Sequence, residues 1–578
     1  MRPNTRFAQL ACGTRSQLSR STTPACSPTP LASSTGGPQL SLSSHHHHRQ
    51  HQQASSRCPY ARVSVVTQQR RRITIKQLDT GRENRERVVI LGSGWAGYTV
   101  ARELDSNKYQ AVVVSPRSYF AFTPLLASTS VGTLEFRTAL EPIRTRRTNV
   151  NFFQGWADGV DLKNRKITIE EAVDDPTSSL ALTQDRHANQ TAEQRLEERR
   201  LEAKKGRLFD LTYDKLIVSV GCYSQTFGTP GVKEHAFFLK DVGDARKIRN
   251  RLLACFEAAA LPTTSDETRR QLLNFAVVGG GPTGIEFSAE LHDIIVEDLA
   301  RVYPELMPFH KITVYDVATK VLPMFDEKLG KYAMENFKRE GIDIKTSHHV
   351  EELRPGAPGE KADDTDEHAV FTLKIKEEGE IGVGMVVWST GLMQNPFVAD
   401  ALNEVHEIPR TFERIEAPPE EAKKGPDSIH WRVKKDKRTG SIMTDSRLRV
   451  KLTGDAENKP EAILKDVFAL GDCAIVEGTR YPATAQVAAQ KASWLAKRLN
   501  KEDLEKKGFT FKNLGVMAYI GNWNALFQGG DGANISGRLA WIIWRGAYLT
   551  KSVSWRNKIL IPIYWMINWI FGRDISRF

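Results

Sequence analysis

Two glycine runs carry the clearest chemistry in this chain: Gly92-Ser93-Gly94-Trp95-Ala96-Gly97 and Gly279-Gly280-Gly281-Pro282-Thr283-Gly284. In such a run the first glycine permits a tight turn, the second lets backbone N–H groups approach a pyrophosphate, and the third lets a helix pack closely. A helix N-terminus adds favourable charge at the same spot. Each run reads as a dinucleotide site when a strand precedes it and a helix follows. Val88 to Leu91 and Phe275 to Val278 are short apolar runs suited to buried parallel strands, and Ala111 to Val114 and Ile312 to Tyr315 supply the next strand in each case. Two βαβ units predict an α/β fold with two doubly wound, Rossmann-like domains, the arrangement of a two-dinucleotide flavoprotein.

The two runs differ at the position about 20 residues on, where a carboxylate would bind a ribose. Asp316 stands there for the second run, where it can accept bonds from both ribose hydroxyls and repel a 2′-phosphate, so NADH is expected in preference to NADPH. After the first run the positions are Ser115, Pro116 and Arg117. Ser115 can bond a ribose hydroxyl; Arg117 can lie near an adenine or phosphate, or be a solvated loop residue. Two further strand ends complete the pattern. Val386 to Thr390 ends at Gly391, and Asp466 to Leu470 ends at Gly471-Asp472, read as lying just before a helix. Asp472 can accept bonds from ribityl hydroxyls, or serve as a plain helix N-cap.

With these motifs in order, the chain from about Arg87 onward resembles the type II NADH:quinone oxidoreductases, the alternative NADH dehydrogenases of mitochondria and bacteria. The most specific stretches are Ser115 to Leu126 (SPRSYFAFTPLL), Gly279 to Glu290 (GGGPTGIEFSAE) and Ala485-Gln486-Val487-Ala488-Ala489-Gln490. The resemblance implies non-covalent FAD at the first run, flanked by Gly471, Asp472, Ala485 and Gln486, NADH at the second, and ubiquinone as electron acceptor. It also implies that Gln486 and Gln490 flank the quinone headgroup. Four residues apart on a helix, their amides share a face and could bond a quinone carbonyl, or cap loop backbone. Glu286 is similar to the family's acid near the nicotinamide and flavin, where it would orient NADH or relay protons; a solvated helix glutamate is the alternative. Ala489 replaces a histidine of some relatives, so no proton role carries over there.

Lys and Arg outnumber Asp and Glu by 81 to 69, but the excess is uneven and gives no reason to expect nucleic acid. No acidic residue precedes Asp79, while arginines are scattered among Ser, Thr and Gln, the composition of a mitochondrial transit peptide over residues 1–80. His45 to His48 is low complexity, and no metal site is expected. The cysteines show no disulfide or metal spacing, which fits a reducing compartment such as the matrix.

The remaining organisation follows from composition. An FAD-binding domain is expected over 85–265 and 461–530, and an NADH-binding domain over 270–395. Three charged stretches, 170–206, 354–380 and 404–460, are read as surface insertions, the first with a short helix over Glu193 to Lys205. Over 535–578, Ile535 to Leu549 and Ile559 to Ile570 combine Trp and aliphatic residues with flanking Arg and Lys, as in amphipathic helices lying in a membrane interface, or else in helices of a homodimer contact or of the core. No window reaches the ~18 to 20 apolar residues of a spanning helix. Monotopic attachment and non-pumping electron transfer are therefore expected, and, since Arg62 to Arg87 has no hydrophobic span, the matrix face of the inner mitochondrial membrane. Two other readings share the fold: a sulfide:quinone oxidoreductase using Cys222 and Cys473, and an NADH-sensing flavoprotein like the apoptosis-inducing factors.

Overall fold

The structure, a computed structural model, describes residues 74–145, 149–173, 179–182, 206–360, 370–409, 413–416, 428–454 and 460–577. Of the transit segment expected over 1–80, residues 1–73 lie outside the described residues, as does the helix expected over Glu193 to Lys205; residues 74–80 instead join the folded body, with a helix over Ile75–Thr80 whose Leu78 is buried in the core.

The first sheet is built around β1 (Glu86–Leu91), in which Val88 to Leu91 are wholly buried. It leads through the first glycine run into α1 (Trp95–Glu103) and then β2 (Tyr109–Ser115), paired parallel with β1. On the far side of β2 lies β3 (Asn151–Asp161), parallel at its start; on the other side of β1 lies β4 (Lys215–Val218). β1, β2 and β4 are Val- and Ile-rich because both faces are covered, so alternation gives way to continuous apolar runs.

After α2 (Val242–Ala260) the same construction repeats: β5 (Asn274–Val278), the second glycine run, α3 (Pro282–Ile294), β6 (Lys311–Asp316), β7 (Ile342–Thr346) and β8 (Met385–Trp388). All are parallel, with β5 between β6 and β8. The chain then returns to the first sheet with β9 (Glu461–Ala469), parallel to β4, and α4 (Ala485–Lys501), which packs along α1. In both sheets each glycine run leaves its strand where the strand order reverses, the crevice in which such sheets bind ligands.

An antiparallel sheet of β10 (Val516–Tyr519), β11 (Ala525–Gln528) and β12 (Asn534–Gly537) covers α3 and leads into α5 (Arg538–Lys551) and α6 (Trp555–Phe571). Covered on both sides, α3 is buried from Gly284 to Ile294. Pro562 lies inside α6 without ending it.

Two expected insertions are corrected. Strands Val350–Pro355, Phe371–Ile375 and Gly379–Val383 form an antiparallel sheet over much of 354–380, with Leu353, Leu373 and Ile375 buried on one face. Residues 404–460 supply further strands, and Ser428–Val433 and Arg449–Gly454 extend the first sheet beyond β9. Period-2 alternation places their few apolar residues, Trp431, Val450 and Leu452, on the buried side. Average composition hides such a strand because half its residues belong in water.

Candidate functional site

The two glycine runs have matching geometry. Gly92 and Gly279 adopt φ of +102° and +117°, which a side chain rarely tolerates. A Cβ on Gly97 would lie 2.0 Å from Gly92 O, and one on Gly284 would lie 2.0 Å from Gly279 O, so each third glycine sets the approach of helix to loop. A Cβ on Gly94 or Gly281 would meet no protein atom within 4 Å. That open face stands before the first N–H groups of α1 and α3, neither of which has a side-chain cap. Both cradles therefore fit the pyrophosphate of a dinucleotide.

A cleft of about 990 Å³ joins these loops to the end of the chain. On its first wall stand Gly92, Ser93, Gly94, Trp95, Ala96, Ser115, Pro116, Arg117, Gly471 and Asp472. Three of these have surroundings that the sequence does not show. The Ser115 hydroxyl is buried against Ser93 Oγ at 2.8 Å, and Ser93 Oγ also reaches the Arg117 and Tyr119 carbonyls. The serines thus fasten the loop to the end of β2. Arg117 is partly exposed but paired: its Nε lies 2.5 Å from Asp241 Oδ2, and Nη2 donates to Leu180 O. Asp472 precedes the short strand Ala474–Val476 rather than a helix, and the N-cap of α4 is Thr484. It is therefore no N-cap, and its carboxylate stays with the cleft. Burial raises the Asp472 carboxyl above its usual range, opposed by Lys240 and Lys491.

Those two lysines went unrecognised in the sequence. Lys240 lines the cleft, and Lys491 is buried on α4 and pushed down to about 8 by burial. Neither has a motif to mark it; only a buried position opposite Asp472 distinguishes it from a surface lysine. Cys222 also lines the cleft, where its Sγ donates to Asp472 O. Burial pushes the Cys222 thiol up to about 12 and that of Cys473 up to about 11.

On the second wall stand Pro282, Thr283, Glu286, Ser389, Thr390 and Gly391, whereas Asp316 and the glycines of the second run do not line the cleft, Asp316 lying beside Gly280. Ser389 Oγ donates to the Val278 and Gly279 carbonyls, tying β8 to the loop. Asp316, at the end of β6, accepts from Gly280 N at 2.5 Å and Ala318 N at 2.7 Å. Glu286 is no solvated glutamate. It is buried, and Oε1 accepts from the Tyr519 N–H at 3.1 Å and the Trp544 indole at 3.2 Å. Burial pushes its carboxyl up to about 8, with those two donors opposing and Glu290 adding to the rise.

At the third end of the cleft, Ala485, Gln486 and Gln490 of α4 face Leu514 to Met517, Tyr548 and Lys551. The two amides do share a side, but both are engaged with loop backbone. Gln486 donates to Gly515 O and accepts from Leu514 N; Gln490 donates to Lys512 O and accepts from Lys512 N. The segment 512–515 has no sheet partner to satisfy these groups, so the glutamines do so.

Comparison with known proteins agrees with this architecture. The pyridine nucleotide-disulphide oxidoreductase family matches residues 86–407, and the NDH2 C-terminal domain matches residues 513–574. A probable NADH dehydrogenase of Dictyostelium discoideum is 38% identical over 502 residues, covering 85% of this chain and 91% of that protein. Two Solanum tuberosum proteins are similarly related. The external alternative NAD(P)H-ubiquinone oxidoreductase B1 is 33% identical, covering 85% of this chain and 90% of its own. The internal A1 protein is 34% identical, covering 86% and 89%. Among solved structures, NDH2 from Plasmodium falciparum in complex with NADH superposes with a TM-score of 0.64 at 23% identity, over 85% of this chain and 100% of that one. The sulfide:quinone oxidoreductase of Aquifex aeolicus, with a TM-score of 0.52 at 15% identity over 85% and 96%, shares the fold. With glycine runs, strand order and C-terminal sheet all accounted for, the chain belongs to the type II NADH dehydrogenases, the alternative NAD(P)H-ubiquinone oxidoreductases.

Proposed function

We propose that this chain is a FAD-dependent, non-proton-pumping NADH:ubiquinone oxidoreductase of the mitochondrion. The observation that carries the reading is the continuity of the cleft from the first dinucleotide cradle, past Pro282, Thr283 and Glu286 at the start of α3, to Gln486, Gln490, Tyr548 and Lys551 beside the C-terminal helices. A bound flavin supplies the two-electron chemistry between hydride donor and quinone; the protein supplies position and electrostatics. Gly94 and the start of α1 hold the flavin pyrophosphate, and Asp472 takes ribityl hydroxyls. Gly281 and the start of α3 hold that of NADH, and Asp316 faces its ribose. The quinone headgroup is taken at the end of the cleft lined by Ala485, Val516, Met517, Tyr548 and Lys551.

The enzyme attaches monotopically to the inner membrane through α5 and α6. Among the described residues no helix is long and apolar enough to cross a membrane. The polarity of α6 is inverted relative to a helix that meets water. Asn557 bonds Glu141 and Leu140 O, and Asn568 bonds the Gly132 and Thr133 carbonyls, all towards the body. Trp555, Ile559, Met566, Trp569 and Phe571 are exposed, Phe571 to 81%. Arg556 and Lys558 sit among them, as suits an anionic lipid surface. A homodimer would use this same face. The matrix side is proposed on the sequence ground given above; internal and external relatives are about equally similar.

Stopped-flow absorbance tests the activity. NADH should bleach the bound flavin and a short-chain ubiquinone should restore it within the turnover time. Bleaching without rapid restoration would favour a redox sensor instead. Turnover with sulfide, lost in Cys222→Ser, would favour sulfide oxidation, which the raised thiols of Cys222 and Cys473 oppose.

A further inference from the structure

Glu286 and Glu290 lie one turn apart on α3, both buried, and their partners differ. Glu286 takes its two N–H donors on Oε1, and among the described residues no protein group bonds Oε2. Glu290 receives the Ser128 hydroxyl on Oε1 at 2.6 Å and the Thr133 hydroxyl on Oε2 at 2.7 Å. Thr133 Oγ1 in turn accepts the Arg573 Nε–H at 2.9 Å. Arg573 is held there by Asp298 at 2.7 Å and Glu297 at 2.9 Å. With its oxygen receiving Arg573, Thr133 has its own proton to give to Glu290. Both oxygens of Glu290 therefore act as acceptors, the pattern of a carboxylate. Two buried acids this close do not both ionise readily; the one with the nearby cation does, and the other keeps its proton.

The proposed function creates a use for that proton. NADH, a proton and quinone give NAD⁺ and quinol, so one proton must reach the quinone beyond the hydrogen that NADH brings. We propose that Arg573 is a positioning residue for this step: through Thr133 it keeps Glu290 a carboxylate, whose fixed charge adds to burial in retaining a proton on Glu286 Oε2 for transfer to the quinone oxygen as it is reduced. Glu286 is left as a carboxylate and regains a proton from solvent before the next turnover. Burial raises Glu290 as well, and Arg573 is the largest influence opposing that rise. The other ionisable groups facing the pair are Asp293, which takes the Tyr519 hydroxyl at 2.5 Å and has His292 beside it, and Arg545 and Tyr548 of α5.

The test is the pH dependence of flavin reoxidation by a short-chain ubiquinone, using the full flavin-loaded enzyme. In Glu290→Gln the charge that adds to burial in holding the proton is gone, so the alkaline limb should move to lower pH by up to about one unit. Arg573→Met, in which Glu290 itself takes up a proton, should move it the same way. Arg573→Lys should restore most of the wild-type profile, and the double variant should shift no further than Glu290→Gln. Flavin reduction by NADH should be unaffected in all of them. An alkaline limb that stays in place in Glu290→Gln overturns the proposal, as does one that moves oppositely in Arg573→Met; should only one variant fold, that one decides. Because the inference rests on the quinone-reductase reading, the wild type separates the two failures: no reoxidation by quinone defeats that reading, whereas normal reoxidation with unmoved variant profiles defeats only the role of Arg573.

Discussion

The Trp544 indole donates to Glu286 Oε1 across 3.2 Å, joining the helix beside the apolar outer surface to the acid at the cleft. That bond favours the charged form of Glu286. Trp544→Phe should therefore leave Glu286 holding its proton to higher pH, moving the alkaline limb of quinone reduction upward, opposite to Glu290→Gln. Losing a donor to a buried acceptor should also cost about 1 to 3 kcal/mol of stability. Both are checked by a pH–rate profile and thermal melts of the flavin-loaded variant.

Glu286 also makes stability depend on pH. Its folded value, about 8, lies above the usual value of 4.5, so the folded state binds more protons between the two. The stabilising contribution is complete below the usual value and is lost as pH rises through about 8. Glu286→Gln, neutral throughout, should lack this term. The Tm of wild type relative to Glu286→Gln should fall as pH is raised from about 5 to about 9; a constant difference would show that Glu286 is not protonated in the folded protein.

The two alanine substitutions in the first glycine run should fail differently. Gly97→Ala drives a methyl into Gly92 O and should prevent stable folding. Gly94→Ala meets only open space within the protein, so the chain should fold with native circular dichroism yet lose most of its flavin. Normal flavin content in purified Gly94→Ala would remove the pyrophosphate from this loop.

Asp316 supports the Gly280 N–H and is proposed to meet the ribose of NADH. Asp316→Ser removes the charge that repels a 2′-phosphate, so kcat/KM for NADPH relative to NADH should rise about tenfold or more. An unchanged ratio, measured by steady-state kinetics, would place the ribose acid elsewhere.

The outer surface of α6 should be probed by substitution rather than truncation, because Ala540, Trp544 and Ile561 are core residues. Trp555→Ser, Trp569→Ser and Phe571→Ser together remove exposed apolar contacts worth about 1.5 to 3 kcal/mol each when fully buried. Vesicle sedimentation should show binding weakened by about a hundredfold or more. Undiminished binding to cardiolipin-containing vesicles would exclude this face as the anchor.

Features that depend on contiguous residues were legible before the fold was known. A buried strand, a glycine turn and a helix occupy consecutive positions, so both βαβ units, the family pattern and the place of Asp316 could be read directly. The C-terminal Trp and aliphatic residues likewise marked helices that carry exposed apolar residues. Strands within 354–380 and 404–460 were missed because charge on their solvent sides diluted the apolar alternation.

What only the tertiary structure decided was the company each polar group keeps. The ion pair of Arg117 with Asp241, and the bonds of Gln486 and Gln490 to segment 512–515, join residues far apart in sequence. So do the contacts of Glu286 with Tyr519 and Trp544, and those of Glu290 with Ser128, Thr133 and, through Thr133, Arg573. A strand or turn is specified by its own residues, whereas the protonation of a buried carboxyl is set by whichever donors and charges the folded chain brings to it.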